Sequence, residues 1–229
     1  MAGIGFELNK ILAKPGYTSL LRAYSYAALI GSGPWLVAVV SLGLLGLVLT
    51  NLGLEDEVRI FFVSISLVYA LTLVLTGPVQ MVLTRHAADQ QFLEKPENIF
   101  PAFVFTLGWS SLFFTAFGLV LFVGCVPGPV MFRLAAALLV VVVAGIWVAS
   151  IFLTAIKDYQ QVLLAFLIGC AVSLLGAWGL AAKFGLTGAM VGFTVGHAVL
   201  LLLLCASIFK EVGNHTVGDA SFLGCFVKY

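Results

Sequence analysis

The sequence predicts an all-α polytopic membrane protein with six transmembrane helices and both termini in the cytoplasm. Composition is the first observation behind this. Of 229 residues, 62% are hydrophobic and only 9% are charged, whereas about a quarter of a soluble domain is charged. So few charges cannot coat a water-facing surface of this size. A soluble domain and a disordered chain are excluded on that ground, and a net charge of +1 offers no basic field to a nucleic acid. The second observation is six stretches free of Asp, Glu, Lys and Arg, at 27–49, 60–82, 99–125, 134–156, 162–182 and 188–209. Each is long enough for a bilayer, which needs about 20 apolar residues. A barrel would show alternating segments of about 10 residues instead. The third is charge asymmetry. Lys10, Lys14, Arg22, Arg85, Lys95, Lys157, Lys210 and Lys228 fall on one side, and Arg59, Arg133 and Lys183 on the other. The positive-inside rule then places both termini in the cytoplasm.

The chain divides into residues 1–26, a lobe at 27–209 and a tail at 210–229. In the first segment Ile4, Leu8, Ile11 and Leu12 recur at helical spacing, apart from Glu7, Lys10 and Lys14. That pattern suits a short amphipathic helix on the cytoplasmic membrane surface. It lacks the apolar core and cleavage site of a signal peptide. The tail reads as a cytoplasmic extension or the start of a connection to a second lobe.

In the first stretch Gly33-Pro34 interrupts the apolar run, and Gly77-Pro78 does so in the second. Proline removes a helix hydrogen bond. Such steps are candidate hinges, or static kinks. The second stretch also carries a polar stripe of Ser66, Tyr69, Thr72, Thr76, Gln80 and Thr84. Steps of three or four residues keep these on one face, and 18 residues of helix cover about 27 Å. The stripe fits a cavity wall, or hydrogen bonding between helices. The fourth stretch has a shorter version in Trp147, Ser150 and Thr154, running toward Lys157.

Gly169, Ser173 and Ala177 give the fifth stretch a small-residue face, and Gly188, Gly192 and Gly196 give the sixth a matching ridge. These are read as a closely packed pair joined at 183–187. His197 is the one His, Asp, Glu, Lys or Arg well inside any stretch, and Thr194 shares its face. It is either a protonatable or sugar-binding group at a wet cavity, or a neutral imidazole bonded to a backbone carbonyl of a neighbouring helix. No carboxylate lies in any stretch, so the sequence gives no support for carboxylate-based ion coupling.

Enzyme and cofactor signatures are missing. There is no P-loop, HExxH or GxSxG, and the four cysteines show no CxxC spacing. No enzymatic activity, cofactor or metal is expected. Glu55-Asp56-Glu57 reads as a solvated outer loop. Arg85, Asp89, Glu94 and Lys95 could gate an inner mouth, although surface pairs contribute at most about 1 kcal/mol.

Several stretches carry a family resemblance. They are Met1–Leu8, Leu20-Leu21-Arg22-Ala23-Tyr24, Ser32-Gly33-Pro34-Trp35, Gly77-Pro78-Val79-Gln80, Leu83-Thr84-Arg85, Phe152–Tyr159 and Gly185–Met190. Together they resemble the PelG family, the membrane subunit of bacterial Pel exopolysaccharide export, over the whole chain. The resemblance implies a place in the MATE/polysaccharide flippase (MOP) superfamily, whose members have two lobes of six helices around a central cavity. It implies a bacterial inner-membrane location and a polysaccharide substrate rich in N-acetylgalactosamine and galactosamine. It also implies work alongside a cytosolic glycosyltransferase, a cyclic-di-GMP-responsive Pel protein and a further inner-membrane protein. Six spans make one lobe, so the chain is expected to be the N-terminal half of such a transporter. Two other expectations stand beside this one: a scaffold that anchors and activates the glycosyltransferase, and a flippase for lipid-linked sugar.

Overall fold

The computed structural model describes residues 17–93, 99–126, 128–156 and 159–216. The segment at 1–16, most of the tail, and the side chains of Glu55, Asp56, Glu57, Lys95 and Lys157 lie outside the described residues. The described chain is helical almost throughout. Its elements are α1 (Tyr17–Asn51), α2 (Glu55–Phe92), α3 (Ile99–Gly118) running on into a π-helical segment (Leu119–Cys125), α4 (Val130–Ile156) and α5 (Tyr159–Thr216). Five of these helices are long and apolar enough to cross a membrane. In hydrocarbon a backbone must satisfy its own hydrogen bonds, and uninterrupted helices do so.

The first four predicted stretches fall in α1, α2, α3 with its π segment, and α4. The fifth and sixth fall together in α5. At about 1.5 Å per residue, 58 residues would extend about 87 Å as a straight rod. The rod breaks at Gly185, where φ is 58° and ψ is −144°. A residue with a Cβ rarely adopts that backbone. The two arms, 159–184 and 186–216, then fold against each other. A Cβ on Gly192 would strike the backbone of Gly176, one on Gly196 would strike Ser173, and one on Gly169 would strike Leu200. These pairs advance in opposite directions along the two arms, so the arms are antiparallel.

Two junctions are set by local chemistry. α1 ends with Gly53 at φ 77°. The Leu54 N–H donates to the Leu49 carbonyl at 3.2 Å, and the Gly53 N–H to Thr50 at 2.9 Å. This is the Schellman pattern, which satisfies helix-end carbonyls. Between α3 and α4, Arg133 Nη1 donates to the Val123 carbonyl at 3.0 Å, closing the end of the π segment.

α4 is the axis of the bundle. Of its apolar window 72% is buried, against 17–33% for the other helices. Its Ala135, Ala136, Ala137, Ala144, Gly145 and Ala149 carry little bulk, so neighbours come close. Gly118 of α3 rests against the Ala137 carbonyl, and Leu201 rests against Gly145. α2, α3 and α5 all pack on α4, while α1 packs chiefly on α5. The core forms two apolar clusters. One is built around Phe61, Phe122, Phe132 and Met190, the other around Phe103, Phe152, Leu200 and Leu204. Along α2, Tyr69 to Gln80 lie between the residues that α2 gives to each cluster. Outward-facing Val74, Met81, Phe105, Leu175 and Leu202 are exposed, as suits a lipid-facing surface.

Gly196→Val is expected to destabilise the protein by about 1–3 kcal/mol or more, because the added methyls meet backbone rather than a yielding side chain. Gly179→Ala, where a Cβ would meet nothing within 4 Å, is expected to be neutral. Denaturant unfolding of the two purified variants in detergent measures the difference.

Candidate functional site

A cavity of about 190 Å³ opens between α1, α2, α4 and the first arm of α5. α1 contributes Gly31, Pro34, Trp35 and Ala38. α2 contributes Tyr69, α4 contributes Trp147, Ser150 and Thr154, and α5 contributes Val162 and Phe166. Among the described residues, no Asp, Glu, Lys or Arg lines it.

Trp147 organises the aromatic wall. Its indole N–H donates to Thr72 Oγ1 at 3.2 Å, which fixes the ring's orientation. Trp35 lies beside it at 5.7 Å between centroids with planes 35° apart. Tyr69 meets it edge-on at 6.5 Å. These are ordinary aromatic pair geometries. Three rings from three helices therefore meet at one place.

The polar groups of the wall are few. Ser150 Oγ is enclosed and has no hydrogen-bond partner among the described residues. Thr154 Oγ1 donates to the Ile151 carbonyl at 2.8 Å. Pro34 has no N–H, so it leaves the Ile30 carbonyl without its helix donor. A buried hydroxyl without a partner costs about 1–3 kcal/mol.

Behind Tyr69 lies a buried polar chain. His197 Nδ1 is 3.0 Å from the Phe193 carbonyl and 2.9 Å from Ser173 Oγ. A carbonyl only accepts, so Nδ1 carries the hydrogen. Nε2 is then the acceptor, and the Tyr69 hydroxyl donates to it at 2.6 Å. Ser173 Oγ in turn donates to the Phe193 carbonyl at 3.3 Å. One neutral tautomer satisfies every contact. The chain ties α2 to both arms of α5.

The remaining predicted site residues separate. Thr72 and Thr76 are buried, and their hydroxyls donate to the carbonyls of Val68 and Thr72 at 2.7 Å each. Gln80 Nε2 donates to Thr76 Oγ1 at 2.7 Å. Ser66 and Thr84 are exposed, and Thr84 donates to its own helix at Gln80. Most of the stripe therefore spends its hydrogen bonds on α2 itself. Thr194 is buried and donates to the Met190 carbonyl at 2.8 Å. His197, 3% exposed, stands one hydrogen bond behind the cavity wall rather than in it. Its backbone partner is on its own helix, four residues earlier. Of the candidate hinges, Pro34 borders the cavity, with buried Gly33 beside it, whereas Gly77 and Pro78 do not. Both prolines lie inside continuous helices. The arms of α5 meet through Gly169, Ser173, Ala177, Gly192 and Gly196, and Gly188 abuts the Leu180 carbonyl near the turn.

Sequence reasoning missed Gly31, Trp35, Ala38, Val162 and Phe166 as wall residues. Trp35 had a signal, an indole directly after a Gly-Pro step. The others are apolar residues in apolar runs and had none. Among the described residues no group of three His, Cys, Asp or Glu could hold a metal.

A family model described as "PelG: Putative exopolysaccharide Exporter (EPS-E)" matches residues 1–229. No curated protein and no solved structure matches the chain.

Ser150→Ala is expected to stabilise the protein, by up to about 1–3 kcal/mol, because it removes an unpartnered buried hydroxyl. Ser173→Ala is expected to cost about 0.6–1.7 kcal/mol, the range for hydrogen bonds between membrane helices. Equilibrium unfolding of both variants in the same micelle separates the two.

Proposed function

The chain belongs to the PelG family of exopolysaccharide exporters, and from that premise we propose that it forms one lobe of a polysaccharide transporter in a bacterial inner membrane. In this reading α1 to α4 and the two arms of α5 make six crossings, with both termini in the cytoplasm as the Lys and Arg bias suggests. The lobe belongs to the two-lobed flippase architecture and catalyses no covalent chemistry. A cytosolic glycosyltransferase and a cyclic-di-GMP-responsive membrane protein are its proposed partners.

The observation that carries the reading is the aromatic-walled cavity. Sugar rings present apolar C–H faces and a rim of hydroxyls. Trp35, Trp147 and Tyr69 offer surfaces for the faces, and the Thr154 hydroxyl on the wall offers an acceptor for the rim. A pocket for a drug-sized ligand holds about 300–1,000 Å³. The smaller volume here suits one ring at a time, as a strand moving past would require. The described wall residues include no Lys or Arg to repel an amino sugar.

Filling the cavity tests this. Ala38→Phe in the full-length gene, in cells lacking the native copy, is expected to abolish secreted polymer at normal protein abundance. Thr84→Leu, on an exposed face, is expected to leave secretion unchanged. Normal secretion with Ala38→Phe would remove the cavity from the transport path and favour a scaffold that supports polymer synthesis.

A further inference from the structure

We infer that Tyr69 and His197 form a proton-binding site coupled to the cavity, with Tyr69 as the relay and His197 as the group that holds the proton. This rests on the export reading and adds a coupling ion to it.

The six apolar stretches contain no Asp, Glu, Lys or Arg and a single histidine. An ionisable side chain at that depth is retained at a cost. His197 sits where the α2 and α5 contributions meet, and its surroundings satisfy a cation as fully as a neutral ring. Nδ1–H already has two acceptors, the Phe193 carbonyl at 3.0 Å and Ser173 Oγ at 2.9 Å. A hydrogen on Nε2 would have the Tyr69 oxygen, 2.6 Å away. The Phe193 ring lies over the imidazole at 4.1 Å between centroids, within cation–π range. The neighbouring titratable groups are Tyr69 on α2 and Cys170 on the first arm of α5. α1 approaches through Ser41, which donates to the Cys170 carbonyl at 3.3 Å. α4 presents Trp147. None of these carries a fixed charge.

The route follows from the bonds. Phe193 and Ser173 occupy Nδ1, and Tyr69 occupies Nε2, so a proton from the cavity reaches the ring through the Tyr69 oxygen. That oxygen accepts the incoming proton as its own hydrogen passes to Nε2. With hydronium as the donor, one of its O–H bonds and the Tyr69 O–H bond break, a new Tyr69 O–H and an Nε2–H form, water is left behind, and the positive charge rests on the imidazolium. Nε2–H then donates to Tyr69, and the Tyr69 hydrogen turns away from His197. The cavity wall gains a donor it did not have. A ligand oxygen that accepts this hydrogen stabilises the protonated state, and protonation strengthens its binding by the same factor.

The test uses the full-length protein in lipid nanodiscs with ¹⁵N-labelled histidine. This chain has three histidines, and His197→Gln assigns the signal of interest. Wild type is expected to show His197 passing from the Nδ1–H tautomer to imidazolium as pH falls. In Tyr69→Phe that response is expected to be lost. A His197 signal that stays neutral down to the pH of unfolding, or that titrates unchanged in Tyr69→Phe, would overturn the proposal. In cells, His197→Gln retains a donor and an acceptor but holds no proton. It is expected to lose export at normal abundance, whereas a purely structural role predicts near-normal export. If that variant fails to accumulate, the Tyr69→Phe spectrum decides. Silent cavity filling by Ala38→Phe, with His197 still titrating, would instead count against the export reading alone.

Discussion

Between helices in lipid there is no water to expel, so the bundle is held by contact at close range. α4 supplies that contact. Its alanines, Gly145 and a run of valines keep its surface thin, and three neighbours reach it. The glycines of α5 do the same for the two arms, where backbone lies against backbone at Gly176 and Gly192. Everything else is positioned from these surfaces. The two apolar clusters form where phenylalanines fill the space at either end, and the cavity remains where α4 gives the wall Trp147 and the small Ser150 and Thr154.

The polar groups of the site lie in the gap between the clusters. Trp147 is fixed by Thr72, Thr72 by its own helix, and Tyr69 by His197. Among the described residues Ser150 Oγ, enclosed beside the cavity, has no partner. On the proposed reading, selectivity follows from shape and from aromatic faces.

Much of this was legible in the sequence because lipid leaves few options. Uncharged runs of the right length had to be helices, and glycines spaced by four had to be an approach surface. The site was less legible. The stripe on α2 was visible as a line of polar residues. Periodicity could not show that Thr72 and Thr76 bond their own helix while Tyr69 bonds another. The separation of 128 residues between Tyr69 and His197 leaves no trace in local pattern. Nor does the cavity's apolar wall, since Ala38, Val162 and Phe166 resemble any other apolar residue. Gly185 was readable as part of a connection, but not as a turn sharp enough to occupy one residue.

The bonds between helices also bear on how such a chain is made. Ser41 meets Cys170, Tyr69 meets His197 and Thr72 meets Trp147, at separations of 129, 128 and 75 residues. A ribosome delivers α1 and α2 to the bilayer well before their partners exist. During that interval each hydroxyl needs an acceptor in hydrocarbon. Thr72, Thr76 and Thr84 carry one with them, the carbonyl a turn earlier. Tyr69 and Ser41 reach across to α5. The assembly order thus sorts α2 into residues that are self-sufficient on insertion and one that waits for α5 to arrive.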